Sequence, residues 1–355
     1  MSSSSISLPS LEGSVASRSP SPSSTGPDHY FEGAEKLLEI WFHVEPTSKS
    51  LRVIPYNELT ELLDLAHCQI ISSRSNEKVD AYVLSESSCF VSDSRFILKT
   101  CGTTRLLDTV GRLLDLAREY CGLNSVLNVY YSRKNFARPE LQIGPHGSFE
   151  HEIARLDDHF EDGAAYCMGS LKQDRWYLYT LHSPVAPQRN VDHTLELLMT
   201  DLPEEVCALF TKEVCADGPE CTKLAGIDKL VPPGTIIDET LFDPVGYSMN
   251  GLLPHSDHYV TIHVTPEPEF SYVSFETNQD LWDLYKQANK VLDCFKPKKF
   301  QLTLFASDES PGAKASQQHL WERDIPGYRR TDLQFIRLAH DTLVYAQFKQ
   351  KVNID

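Results

Sequence analysis

The sequence predicts an α+β fold in which largely antiparallel sheets are covered by helices. Three observations carry that prediction. Segments with strand and helix periods alternate from Tyr30 onward with no long linker. The C-terminal half repeats the helix-then-strand order of the N-terminal half, without a repeat strict enough to prove duplication. A chain of 355 residues, 41% of them hydrophobic, makes one large domain or two ordinary ones with enough apolar material for a core.

The elements follow in order. Residues 32–42 read as a helix, with Leu37, Leu38, Ile40 and Trp41 apolar and Glu32, Glu35 and Glu39 on the other face. Residues 57–65 are a second, short helix. Strands follow at 69–71, 81–84 and 95–99. A helix then covers 105–120, where Leu106, Leu107, Val110, Leu113, Leu114 and Ala117 fall at helical spacing. Further strands are expected at 125–131, 176–181, 259–265, 270–276 and 300–305, with helices near 194–202 and 279–295.

Net charge is -17, from 33 Lys+Arg against 50 Asp+Glu. That balance argues against an extended nucleic-acid or anionic-membrane surface, since both need clustered cations, and it suits a cationic small molecule. No apolar run reaches the roughly 18 residues a membrane span needs. Residues 1–28 are serine-rich with four prolines and read as a disordered tail ahead of a domain at 29–355. They lack the basic start and apolar core of a secretory signal. The nine cysteines are scattered without a CxxC pair and read as reduced thiols, so a cytoplasmic location is expected. No GxGxxG or Walker-type loop supports nucleotide binding.

Several positions could carry chemistry. Leu84-Ser85-Glu86-Ser87-Ser88-Cys89-Phe90 puts a serine-dense knot between two apolar pieces. It reads either as a turn or as a self-processing site, where a serine hydroxyl attacks the preceding carbonyl and turns an amide into an eliminable ester. His263 alternates with the apolar residues of Tyr259-Val260-Thr261-Ile262-His263-Val264-Thr265. A sheet histidine and a general base both stay open. A zinc ligand with His255 and His258 matches no standard spacing, and no metal is assigned. Cys101 precedes an expected helix N-terminus, which would favour thiolate, beside the alternative of an inert buried thiol. Asp192, Thr194 and Glu196 read as the solvated first turn of a helix, and Phe31 and Phe242 as core.

Taken together, ordered blocks resemble one family. They include Phe31-Glu32-Gly33-Ala34-Glu35-Lys36, Tyr82-Val83-Leu84-Ser85-Glu86-Ser87-Ser88, Phe96-Ile97-Leu98-Lys99-Thr100-Cys101-Gly102-Thr103-Thr104 and Tyr131-Ser132-Arg133-Lys134-Asn135-Phe136. Gly163-Ala164-Ala165-Tyr166-Cys167-Met168-Gly169, Gly246-Tyr247-Ser248-Met249-Asn250-Gly251 and Thr261-Ile262-His263-Val264-Thr265-Pro266-Glu267-Pro268-Glu269-Phe270 continue the series to about Phe305. The chain resembles the eukaryotic S-adenosylmethionine decarboxylases, pyruvoyl enzymes of polyamine synthesis.

The resemblance implies a four-layer αββα sandwich of two antiparallel sheets. It implies that Ser87 attacks the Glu86 carbonyl, that His263 removes the Ser87 α-proton, and that Ser248 hydrogen-bonds the intermediate. Residues 1–86 and 87–355 would then become two chains, the larger starting with a pyruvoyl group. The substrate amine would form a Schiff base there, and carbon dioxide would leave into that electron sink. Cys101 would return the proton to Cα, yielding the aminopropyl donor for spermidine and spermine. Phe31 and Phe242 would hold the adenine and Glu267 the ribose, with Glu86, Glu32 and Glu35 lining the site.

In the animal-like branch a buried acidic cluster binds putrescine as an activator. Matching positions are Glu39, Asp192, Thr194, Glu196 and Glu276, with Phe305, Lys99 and Arg133. Leu37 and Asp192 stand where plant members carry basic side chains, so putrescine stimulation is expected. Asp341 replaces an aromatic there, and Cys89 is a second departure. A homodimer of cleaved protomers is compatible. The alternatives are a catalytically silent regulatory partner, which the presence of Ser87, Cys101 and His263 disfavours, and a hydrolase using Ser248 or Cys101 with His263, for which no orienting residue or oxyanion hole is recognisable.

Overall fold

The computed structural model describes residues 30–182, 192–267, 269–281, 283–307 and 310–351. The chain divides into two units, Met1–Phe31 and Glu32–Asp355. The tail expected at 1–28 lies outside the described residues.

The second unit holds two eight-stranded sheets in which every pairing is antiparallel. The first comprises β1 (Lys36–Phe42), β2 (Ile70–Ser75), β3 (Asp80–Leu84), β4 (Ser87–Val91), β5 (Arg95–Thr100), β6 (Val126–Lys134), β7 (Gly163–Met168) and β8 (Trp176–Leu181). The second comprises β9 (His193–Thr200), β10 (Ile236–Leu241), β11 (Tyr247–Leu252), β12 (Tyr259–Thr265), β13 (Tyr272–Thr277), β14 (Lys299–Ser307), β15 (Tyr328–Arg337) and β16 (Asp341–Gln350). Strand order is β2-β3-β4-β5-β1-β6-β8-β7 in one and β10-β11-β12-β13-β9-β14-β16-β15 in the other. Adding eight to each label of the first order reproduces the second, so the two halves share one topology. The repeat suspected from element order is real in the fold.

Helices cover the outer faces. α1 (Tyr56–Leu65), α2 (Val110–Cys121) and α3 (Phe149–Asp157) pack on the first sheet. α4 (Glu204–Cys207), α5 (Gly218–Leu224), α6 (Leu284–Phe295) and α7 (Pro311–Glu322) belong to the second half. Side-chain caps start several of them: Ser148 accepts from His151 N at α3 and Asp283 from Lys286 N at α6. Among the described residues no helix is long and apolar enough to cross a membrane.

The layers follow from strand alternation. On β1, Leu38, Ile40 and Phe42 face the helices with Leu62, Leu63 and Leu113. On β9, Leu195, Leu197 and Met199 do the same with Val291 and Phe295. Each such leucine, fully buried, contributes about 1.5–3 kcal/mol over leaving it exposed. Between the sheets, Tyr130, Trp176 and Leu178 meet Leu198, Tyr272 and Tyr345, while Phe90 and Ile97 meet Leu252 and Tyr259. The result is the four-layer αββα sandwich, with polar groups concentrated at the centre of the inter-sheet layer.

Two expected helices are strands. Residues 36–42 form β1 and residues 193–200 form β9, each central in its sheet and buried on both faces. Such strands lose polar alternation and read as continuous apolar runs, which periodicity alone cannot separate from buried helix. Glu35 and Glu39 therefore share the inter-sheet face by period two, and Asp192, Thr194 and Glu196 are not a solvated helix turn.

Candidate active site

β3 and β4 are joined by the two-residue turn Ser85–Glu86, closed by the Leu84–Ser87 pair. Two-residue hairpins normally place positive φ within the turn, on Gly or Asn. Here neither turn residue has positive φ, and Ser87 carries it instead, at 133°. A residue with a side chain there stores strain of about 1–3 kcal/mol. The Glu86 carbonyl, the group Ser87 would attack, accepts from Cys101 N at 2.9 Å and Cys101 Sγ at 3.4 Å. The peptide between Glu86 and Ser87 is thus both strained and polarised.

The Ser87 hydroxyl donates to Glu35 Oε1 at 2.6 Å. Two residues before Glu35, Gly33 packs against the second sheet where no side chain fits: a Cβ there would stand 2.9 Å from Tyr272 Cβ and 3.0 Å from Thr265 Oγ1. Burial opposes ionisation of Glu35, but the Lys99 ammonium, helped by the Ser87 hydrogen bond, outweighs it and holds the carboxyl below the usual range. It stands ionised, in hydrogen-bond contact with the serine proton.

His263 lies in register with Ser248 across β11 and β12, and Asn250 with Thr261. Its Nδ1 is 2.8 Å from Ser248 Oγ, and its Nε2 is 2.9 Å from Thr261 Oγ1, 3.1 Å from Ser88 Oγ and 3.8 Å from Glu35 Oε1. Ser88 and Thr261 also donate to Asn250 Oδ1. Burial pushes the imidazole down to about 4, so it stands neutral. The ring touches the serine after Ser87 and shares with Ser87 the same glutamate oxygen. Ser88, Asn250 and Thr261 were not singled out from sequence; period two along β11 and β12 aligns Asn250 with Ser248 and Thr261 with His263, while Ser88, on β4, carried no such signal.

Of the two readings left open at Cys101, the helix-stabilised thiolate is not found and the buried thiol is. The nearest helical turn starts at Leu106 and α2 only at Val110, so no helix N-terminus reaches the thiol. Burial, followed by Glu86 and Glu35, pushes it well above the ordinary cysteine value, and it keeps its proton. Burial likewise lifts Glu86 to about 7. The Glu32 carboxylate is turned to the 137–138 backbone, accepting from Ala137 N at 2.9 Å and Arg138 N at 3.3 Å. Phe242 is half-buried, its N–H bonded to the Gly246 carbonyl, and Glu267 is half-buried just after β12. Phe31 ends the separate unit Met1–Phe31.

Beside this site a narrow cavity of about 50 Å³ opens between the sheets, lined among others by Leu37, Glu39, Asp192, Thr194, Glu196, Glu276 and Phe305. Lys99 links it to Glu35: its Nζ lies 2.9 Å from Glu276, 3.6 Å from Glu196 and 3.8 Å from Glu35. Arg95 is 2.8 Å from Glu39 and 3.9 Å from Asp192. Five carboxylates thus face two cations, and burial raises Glu196 to about 7. Arg133 is not brought here. It points to the helix layer, bonded to Glu152 at 2.7 Å and stacked 4.4 Å from Phe136, because position 133 shares the outward face of β6 with Tyr131. Asp341 accepts from Tyr130 Oη at 3.1 Å, behind the ring that meets Phe305 edge-on.

Comparison with known proteins gives a consistent picture. The model of the adenosylmethionine decarboxylase family matches residues 28–349. The chain is 55% identical to the S-adenosylmethionine decarboxylase proenzyme of Caenorhabditis elegans over 330 residues, covering 92% of this chain and 90% of that one. It is 54% identical to the Onchocerca volvulus proenzyme, covering 91% and 89%, and 48% identical to that of Xenopus laevis, covering 90% and 95%. In fold it is similar to the crystal structure of the Trypanosoma brucei AdoMetDC-delta26 monomer, with a TM-score of 0.58 at 24% identity, covering 74% of this chain and 99% of that one.

Proposed function

The chain belongs to the adenosylmethionine decarboxylase family, and on that premise we propose how its own residues build and run the site. The activity is decarboxylation of S-adenosylmethionine by a proenzyme whose pyruvoyl group derives from a serine of the chain. We assign that serine to Ser87, and the observation that carries the assignment is its strained φ beside a carbonyl held by Cys101.

Glu35 takes the hydroxyl proton of Ser87 as Oγ bonds to the Glu86 carbonyl carbon. The C–N bond breaks as the Ser87 nitrogen takes that proton back from Glu35, leaving an ester and a free Ser87 amine. His263, neutral and steadied through Nδ1 by Ser248, takes the Ser87 α-proton, and the ester C–O bond breaks to free Glu86 as a carboxylate. The dehydroalanine left at position 87 tautomerises, adds water and loses ammonia. The carbonyl so formed supplies the electron sink that no side chain offers. Around it, Cys101 retains a proton for delivery to Cα, Glu86 lines the pocket, and we assign Phe242 and Glu267 to the nucleoside of the substrate. Glu32 supports the loop at 137–138.

The surplus of carboxylates around Lys99 and Arg95 suits a slender dication, and we assign the cavity to putrescine through Glu39, Asp192, Glu196 and Glu276. Lys99 carries its effect to Glu35. Titration calorimetry should show putrescine binding that Glu276→Gln weakens; absence of binding to the parent chain would remove this assignment. A cytoplasmic dimer of cleaved protomers belongs to the same reading. The test of the main assignment is Ser87→Ala, which should abolish both chain cleavage and decarboxylation. Activity in an uncleaved Ser87→Ala chain would refute it and favour a hydrolase built on Ser248 or Cys101.

A further inference from the structure

Lys36 opens β1 on the helix-facing side and has no exposure. Its Nζ donates to the Gly102 carbonyl at 3.1 Å and to Gln142 Oε1 at 3.2 Å, 5.3 Å from the Phe136 ring. Among the described residues no carboxylate lies within ion-pair distance of it, and Arg133 stands directly opposite on β6. Arg133 has Glu152; Lys36 has two neutral acceptors. A buried ammonium held this way costs several kcal/mol that an apolar side chain would avoid. The corresponding row on β9 also opens on a buried polar residue, His193, ahead of Leu195, Leu197 and Met199, but His193 is a ring bonded to Ser310 Oγ and the Gln279 carbonyl, where Lys36 is an ammonium.

The missing partner is supplied by the chemistry. Gly102 follows Cys101, whose N–H and Sγ hold the Glu86 carbonyl. Cleavage turns that carbonyl into a carboxylate, adding a negative charge where Glu86 and Glu35 already act on Cys101. Proton delivery then asks Cys101 itself to become an anion. We propose that Lys36 is a positioning residue, the counter-ion placed in advance for the carboxylate that cleavage creates on Glu86 and for the Cys101 thiolate.

The surrounding charges agree. Of the groups acting on Cys101, which are Glu86, Glu35, Lys36 and Cys68, Lys36 is the cation, and it is also the charge acting on the Glu86 side chain. Around Lys36 itself stand Cys101, Glu152, Arg133 and Cys68. Burial brings the ammonium down to about 8, so its support is present below that pH and withdrawn above it.

This inference rests on Cys101 as proton donor, and the experiment separates the two. Cys101 is half-buried, and its alkylation by iodoacetamide, followed by peptide mass against pH, reports thiolate formation independently of turnover. In cleaved Lys36→Met the alkylation rate at pH 7.5 should fall about tenfold, the effect of one pKa unit. Turnover should fall with KM changed less than threefold. Lys36→Arg, which keeps its charge, should restore both and remove the loss of activity above about pH 8. An alkylation profile unmoved in Lys36→Met, or an alkaline limb unmoved in Lys36→Arg, overturns the proposal even if one variant folds poorly. Wild-type turnover in Cys101→Ser would instead refute the donor reading, while the alkylation profile still decides the counter-ion.

Discussion

Replacing Ser87 by glycine should leave a more stable uncleaved chain than replacing it by alanine, the reverse of what glycine does in an ordinary strand. Both variants lose the hydroxyl that bonds Glu35, so their difference isolates the backbone. At φ 133° a Cβ costs about 1–3 kcal/mol. Glycine costs about 0.5–1 kcal/mol more than alanine in lost freedom on folding. Central values leave the glycine variant ahead by about 1 kcal/mol. With an m-value of about 3 kcal/mol/M in urea, the midpoint should rise by about 0.3 M at equal m. Were about 2 kcal/mol of strain released on the way to the ester, it would speed the acyl shift about 30-fold. An alanine variant as stable as the glycine variant would mean Ser87 is unstrained, and the argument that geometry drives cleavage would fail.

The neutral imidazole of His263 is the form that can take a proton, and its pKa near 4 places the loss of that form well below neutrality. The acid limb of the cleavage rate belonging to His263 should therefore fall through about pH 4 in a pH-jump series; a limb near 6.5 would contradict the burial argument. Glu152→Ala strips the partner from Arg133, Tyr131 and His146, all buried. It should cost about 3–5 kcal/mol in urea unfolding, and a loss below about 1 kcal/mol would show that the network is not structural.

The elements that sequence placed well are those with one dominant period. Residues 176–181 and 259–265 are β8 and β12 as expected, and the helix expected at 57–65 is α1 extended by one residue. The failures are central strands. In β1 and β9 both faces are buried, so Glu39 and Glu196 fall among apolar residues at spacings a helix also satisfies. β4 was hidden because Ser87 and Ser88 read as turn composition, although its five residues are all buried. Within the site, Glu35, Ser87, Ser248 and His263 converge on one another. Their supporting set does not show in sequence, because Ser88, Asn250 and Thr261 matter only through cross-strand register. Arg133 illustrates the opposite limit: proximity along β6 to Ser132, which lines the cavity, says nothing once alternation turns it outward. Lys36 looks like an ordinary surface lysine until the fold closes over it.

The central claim is that this chain cuts itself between Glu86 and Ser87 to make its own electron sink. A denaturing mass spectrum of the purified protein tests it most directly. The account expects two chains meeting at that bond, with the larger lighter by one ammonia than a chain starting with serine. A single chain that stays intact on incubation with putrescine would contradict it.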